Sequence, residues 1–236
     1  MNRSHFLAAT SALVAGSAPA PSSAAVVPGG TSFVERRAQF DEQAFDGVVG
    51  RPAQIRQLIE AVAFNPGVLN NIKNSFNGLQ FGYGLTADQI SIAIAGHGPS
   101  SSYAYTDYVW QKYRIGEFFN IHSADGKPIT RNLWLQAMST YDPAADPGDE
   151  RGMYQDRSIE MLQKRGLIVL TCHTAVEEQS RALVARGFAP AGMPAETVAV
   201  DILTHLIPGA VVNPSMVATV AILQKRFGYT YAALTL

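Results

Sequence analysis

The sequence predicts an α/β domain built on a mainly parallel sheet with helices on both faces. Three observations carry that expectation. From residue 85 onward, short apolar runs alternate with segments of helical period, the pattern of successive strand–helix–strand units. Two of those runs, residues 89–96 and 167–171, are apolar at successive positions, as in strands covered on both faces. With 47% apolar and 16% charged residues in 236, the chain can bury a sizeable core in one domain.

The elements follow in order. Residues 26–50 contain Pro28-Gly29-Gly30 and no clear period, and read as a linker or arm ahead of a single domain over 51–236. After Arg51-Pro52, the spacing of Ile55, Leu58, Ile59 and Val62 predicts a helix. Asn65-Pro66 reads as a helix start, with Leu69, Ile72, Phe76 and Leu79 at helical spacing behind it. Residues 89–96 form the first expected strand, closed by the turn Gly96-His97-Gly98-Pro99. Residues 101–113 carry Tyr103, Tyr105, Tyr108, Trp110 and Tyr113 and read as an irregular helix that packs a face or an oligomer contact. Residues 142–150 are an acidic loop marked by two Asp-Pro steps. A helix over 153–164 leads into strand 167–171, and a helix over 175–186 follows, started by the capping box Thr174-x-x-Glu177. A helix over 194–206, a strand over 210–212, a helix started by Asn213-Pro214 and ended at Gly228, and a strand over 229–236 complete the chain.

The N-terminus differs in composition. A weakly basic head, Met1 to His5, precedes the apolar run Phe6 to Gly16 and then small residues, the layout of an export signal. Cleavage is expected after Ala25, because Pro21 disfavours processing after Ala20. Asn2-Arg3-Ser4-His5-Phe6-Leu7 is similar to a twin-arginine motif with its second arginine replaced, so a Sec or a degenerate twin-arginine route is expected, with a periplasmic or otherwise exported product. Loss of residues 1–25 removes Arg3 and no carboxylate, which takes the formal charge from -1 to -2. That charge argues against general nucleic-acid binding, and no apolar run is long enough to predict an integral membrane span after processing.

Cys172 is the only cysteine, so no internal disulfide can form. It sits at a predicted strand end just before a predicted helix, where α/β sheets gather chemistry. A helix N-terminus favours negative charge on a nearby sulfur. His173 is adjacent and His97 ends another predicted strand. If those strands are neighbours, His97, Cys172 and His173 could act as an acid–base set or hold copper or zinc. His122, beside Asn120, lies in a segment the pattern does not place. No GxGxxG, P-loop, CxxC or HExxH motif occurs, so no cofactor is expected.

The stretch from Leu167 to Ala175, with Arg186-Gly187 after it, resembles the DsrE/DsrF-like family. So do Leu206 to Met216 with its Pro208-Gly209 step, Leu223-Gln224 with Gly228-Tyr229-Thr230-Tyr231, and Ile92 to Gly98. The resemblance covers residues 52–236, with residues 115–150 fitting poorly. It implies a flavodoxin-like three-layer sandwich and a homo-oligomer. It further implies that Cys172 carries a persulfide, as in the family's sulfur-relay members, and exchanges sulfur with a donor or acceptor protein. Relay members act in the cytoplasm, whereas an export signal points to reduced-sulfur chemistry outside it. The alternatives are a non-catalytic oligomeric binding or scaffold protein of the same fold, or a copper- or zinc-binding protein.

Overall fold

The computed structural model describes residues 36–233. The expected export signal over 1–25 and residues 26–35 of the expected arm lie outside the described residues. Five parallel strands form one sheet in the order β4-β3-β2-β1-β5. They are β1 (Ile55–Ala61), β2 (Ile90–Gly96), β3 (Leu167–Cys172), β4 (Ala210–Asn213) and β5 (Thr230–Ala233). Helices α1 (Glu42–Val49) and α8 (Met216–Phe227) pack on one face around Phe45, Val49, Leu58, Ala93, Leu170 and Leu223. The other face carries α2 (Gly67–Asn77), α5 (Ile159–Lys164), α6 (His173–Ala185) and α7 (Ala195–Thr204), with the short α3 (Asp107–Lys112) and α4 (Ile115–Phe118). The result is a flavodoxin-like three-layer sandwich.

Strands β2 and β3 are buried at every position, which is why neither shows an alternating pattern in sequence. One expected element changes type. Residues 55–61 form strand β1, not a helix. Leu58 packs on the α8 side and Ile59 on the α2 side, so two adjacent apolar residues serve opposite faces. The spacing of Ile55, Leu58, Ile59 and Val62 suits one face of a helix equally well, and Val62 proves exposed. Within the expected arm, residues 42–49 form α1, capped by Asp41 Oδ1 on Ala44 N–H at 2.9 Å. The expected helix over 153–164 is cut to α5, because Ser158 takes the N-cap position and accepts from Met161 N–H.

The aromatic run between β2 and β3 is core. Tyr103, Tyr105, Trp110 and Tyr113 are buried, and Phe64 stacks on Tyr103 with centroids 4.4 Å apart. The long segment from 119 to 158 is organised by one buried carboxylate, Asp156. Its Oδ2 accepts from Met138 N–H (2.7 Å), Ser139 N–H (2.9 Å) and Ser139 Oγ (3.0 Å), and its Oδ1 accepts from Ser158 N–H (2.8 Å). Burial alone would raise its pKa, but these donors hold it below the ordinary 3.8. Nearby, the buried Arg165 donates to Asn77 Oδ1 at 2.7 Å and lies 5.1 Å from the ring centres of both Phe76 and Tyr154. Burial lowers its pKa to about 10, so it stays protonated at neutral pH.

Asp156→Asn puts an amide nitrogen where two backbone N–H groups and a hydroxyl need an acceptor. It should cost on the order of 3 kcal/mol in denaturant unfolding at pH 7. Because the folded-state pKa is depressed, the carboxylate's contribution is full above about pH 4 and lost as pH falls through the folded value. The unsubstituted protein should therefore lose more stability than Asp156→Asn on acidification below that point.

Candidate functional site

The carboxyl edge of the sheet brings most of the chemistry-bearing residues onto one face. Side chains alternate along each strand, and Leu58, Ala93, Ala95, Leu170, Cys172 and Val211 share the α8 face. Glu60, His97 and Asn213 continue those rows. Gly96 pairs with Thr171 and Cys172 with Asn213, so His97 stands level with Cys172 on the neighbouring strand. The strands that end at His97 and Cys172 are therefore neighbours.

Cys172 ends β3 and is also the N-cap of α6, with no loop between strand and helix. The expected capping box at Thr174 is not the helix start. The Cys172 sulfur fills the cap, accepting from Ala175 N–H at 3.4 Å, while Thr174 Oγ1 donates to Pro214 O at 2.9 Å. Met216, the first residue of α8, directs its N–H at the same sulfur at 3.3 Å. Ser215, not Asn213, is the N-cap of α8. Asn213 instead locks the strand end, donating to Thr171 O at 2.9 Å and accepting from Thr219 Oγ1 at 3.1 Å. Two helix N-termini from opposite faces of the sheet thus meet on one sulfur. Their first-turn N–H groups have no partner within their own helices, and both add positive dipole ends at that point. The thiol is free of any disulfide and is buried, with 5% of the residue exposed.

His173 does not join this sulfur in a shared solvent cleft. It is the first residue of α6, is buried, and lies 3.8 Å from Glu177 Oε1, one turn along the helix. That distance exceeds a hydrogen bond, and desolvation lowers the His173 pKa from 6.5. Glu177 is in turn 3.8 Å from Arg181, which contacts Glu196 at 3.4 Å. Tyr105 donates to Gln179 Oε1 at 2.6 Å, and Gln179 Nε2 donates to Gly98 O at 2.5 Å, tying α6 to the turn after β2. Burial drives the Tyr105 pKa far up, with the Cys172 sulfur adding to it.

His97 bonds to a residue that sequence reasoning did not single out. Its Nε2 lies 2.9 Å from Glu60 Oε1, and the Tyr231 hydroxyl of β5 bonds Glu60 Oε2. Glu60 went unnoticed because residues 51–62 read as a helix. His122 lies elsewhere, exposed in the 119–158 segment with Nδ1 3.2 Å from Asn120 O. Among the described residues, no group of three His, Cys, Asp or Glu is placed to hold a metal ion. Among them, too, no helix is long and apolar enough to cross a membrane. Comparison of the chain with family models, curated proteins and solved structures gave no match.

A buried histidine that stays neutral makes stability depend on pH. Above about pH 6.5 both folded and unfolded His173 are neutral, and nothing is lost. Below it the unfolded chain takes the proton first, so stability falls with pH. Melting temperatures between pH 7.5 and 5.5 should drop more steeply for the unsubstituted protein than for His173→Gln.

Proposed function

We propose that the protein carries sulfur on Cys172 as a persulfide. The observation that supports this reading is the meeting of Ala175 N–H and Met216 N–H on the Cys172 sulfur at the carboxyl edge of a parallel sheet. In loading, the Cys172 thiolate attacks the outer sulfur of a donor persulfide R–S–SH. A new S–S bond forms, the donor's S–S bond breaks, and the donor leaves as R–S⁻ while the proton stays on the transferred sulfur. In discharge, an acceptor thiolate takes that outer sulfur and Cys172 leaves as a thiolate. Each step uses or produces negative charge on the sulfur at which two helix N-termini aim their donors. The resemblance to the DsrE/DsrF-like family gives the same position to the carrier cysteine. The export signal read over residues 1–25 would set this exchange outside the cytoplasm, with a sulfur donor or acceptor protein as partner and the chain acting as a homo-oligomer.

One observation favours a second reading. A thiol only 5% exposed also suits an inert core position, in a non-catalytic binding or scaffold protein of the same fold.

Mass spectrometry after incubation with polysulfide separates the two. The carrier reading expects one added sulfur atom on Cys172 in the folded protein and none in Cys172→Ser. The scaffold reading expects Cys172 to stay unmodified by polysulfide and by thiol reagents until the protein unfolds. That second outcome would sink the carrier.

A further inference from the structure

We propose that Glu60 and His97 form an acid–base pair that deprotonates the small thiol collecting sulfur from Cys172. This role rests on the carrier reading. The first support is topological. Successive strands β1, β2, β3 and β4 run outward in one direction, and β5 returns to the opposite side of β1. The order therefore reverses between β1 and β5, and ligands of open α/β sheets bind outside the strand carboxyl ends at that reversal. Glu60 lies on β1, Tyr231 on β5, and His97 just past the end of β2, and the three side chains are joined there.

The second support is geometry. His97 is held at both ends. Its N–H is shared between Ala61 O (3.2 Å) and Ser100 Oγ (3.0 Å), and its Nε2 is fixed by Glu60 at 2.9 Å. Gly98, at φ +58°, turns the chain away directly behind it. A carboxylate on one imidazole nitrogen sets the ring's orientation and leaves the other to exchange a proton.

The third support is access. The side chains of His97 and Glu60 are 19% and 20% exposed, whereas Cys172, level with His97 on the same face, is buried. A thiol arriving from solvent thus meets His97 before it meets the sulfur. In the step itself, His97 takes the proton of R′–SH, and R′–S⁻ attacks the outer sulfur of Cys172–S–SH. The Cys172–S bond breaks, R′–S–SH departs, and Cys172 is left as a thiolate facing its two N–H donors. The proton on His97 returns to solvent. Glu60 touches no reacting atom and is a positioning residue.

The test loads Cys172 with polysulfide in the full chain and measures discharge to free cysteine from pH 6 to 10. At pH 6.5, Glu60→Gln and His97→Gln should discharge about tenfold or more slowly, as for loss of a general base. Above about pH 9.5, where a thiol with pKa near 8.5 ionises unaided, their rates should approach that of the unsubstituted protein. An unchanged rate, or one lowered by the same factor at every pH, overturns the pair's role and leaves the carrier intact. No loading of the unsubstituted protein overturns the carrier reading and this role together. If Glu60→Gln does not fold, His97→Ala carries the test. Free imidazole should speed its discharge beyond any effect on the unsubstituted protein, and no such rescue overturns the proposal.

Discussion

Right-handed crossover is the constraint on which the rest of this structure depends. Parallel neighbours must be joined by a connection that passes over one face of the sheet, and the hand decides which face. Three connections progress from β1 to β4 and carry α2, α5, α6 and α7 over one side. The fourth runs back to β5 and carries α8 over the other. Helices α6 and α8 therefore approach the same sheet edge from opposite sides with their N-termini leading. The Cys172 sulfur lies where they meet, and it takes one N–H from each.

The polar groups around that edge are organised in two depths. Near solvent, Glu60 joins β1, the turn after β2 and β5 through His97 and Tyr231. Deeper in the protein, Tyr105 and Gln179 join α6 to the backbone of Gly98. Hydrogen bonds buried among apolar neighbours are costly to leave unmade, so the deeper set holds the turn that carries His97. At the opposite edge of the sheet the demands are structural. Arg165 binds Asn77 and faces two aromatic rings, and Asp156 supplies acceptors to a segment with few regular elements.

Much of the fold was legible because its signals are strong and local. The apolar runs of β2 and β3, the strand-end position of Cys172 and the stripe of α8 all read directly from the chain. Strand β1 did not, because Leu58 and Ile59 face opposite sides while their spacing with Ile55 matches a helical face. That single misreading also hid Glu60, since a carboxylate on an expected surface helix gives no reason to look for a partner 37 positions away. The Pro52 preceding the run and its isoleucines are the local signals that favour a strand. The start of α6 was misplaced for another reason: Thr174 and Glu177 fit a capping pattern, but a sulfur two residues earlier holds the cap. His173 looked like a neighbour for that sulfur by adjacency alone. Placed as the first residue of a helix, it is turned toward Glu177.

The face that holds Cys172 is covered by two helices, α1 and α8, and the tie between them at the surface is ionic. Arg226 of α8 reaches Glu42 at 2.8 Å and Asp46 at 2.5 Å on α1, and all three side chains are partly exposed. Such pairs weaken as salt rises, while the apolar contacts beneath them do not. Salt thus loosens the surface tie, while Phe45, Val49, Met216 and Leu223 stay packed on the sheet in one apolar cluster. What a reagent in solution samples at Cys172 is then the free energy of lifting two helices. Ionic strength adjusts that quantity without touching the sulfur or the strand that carries it.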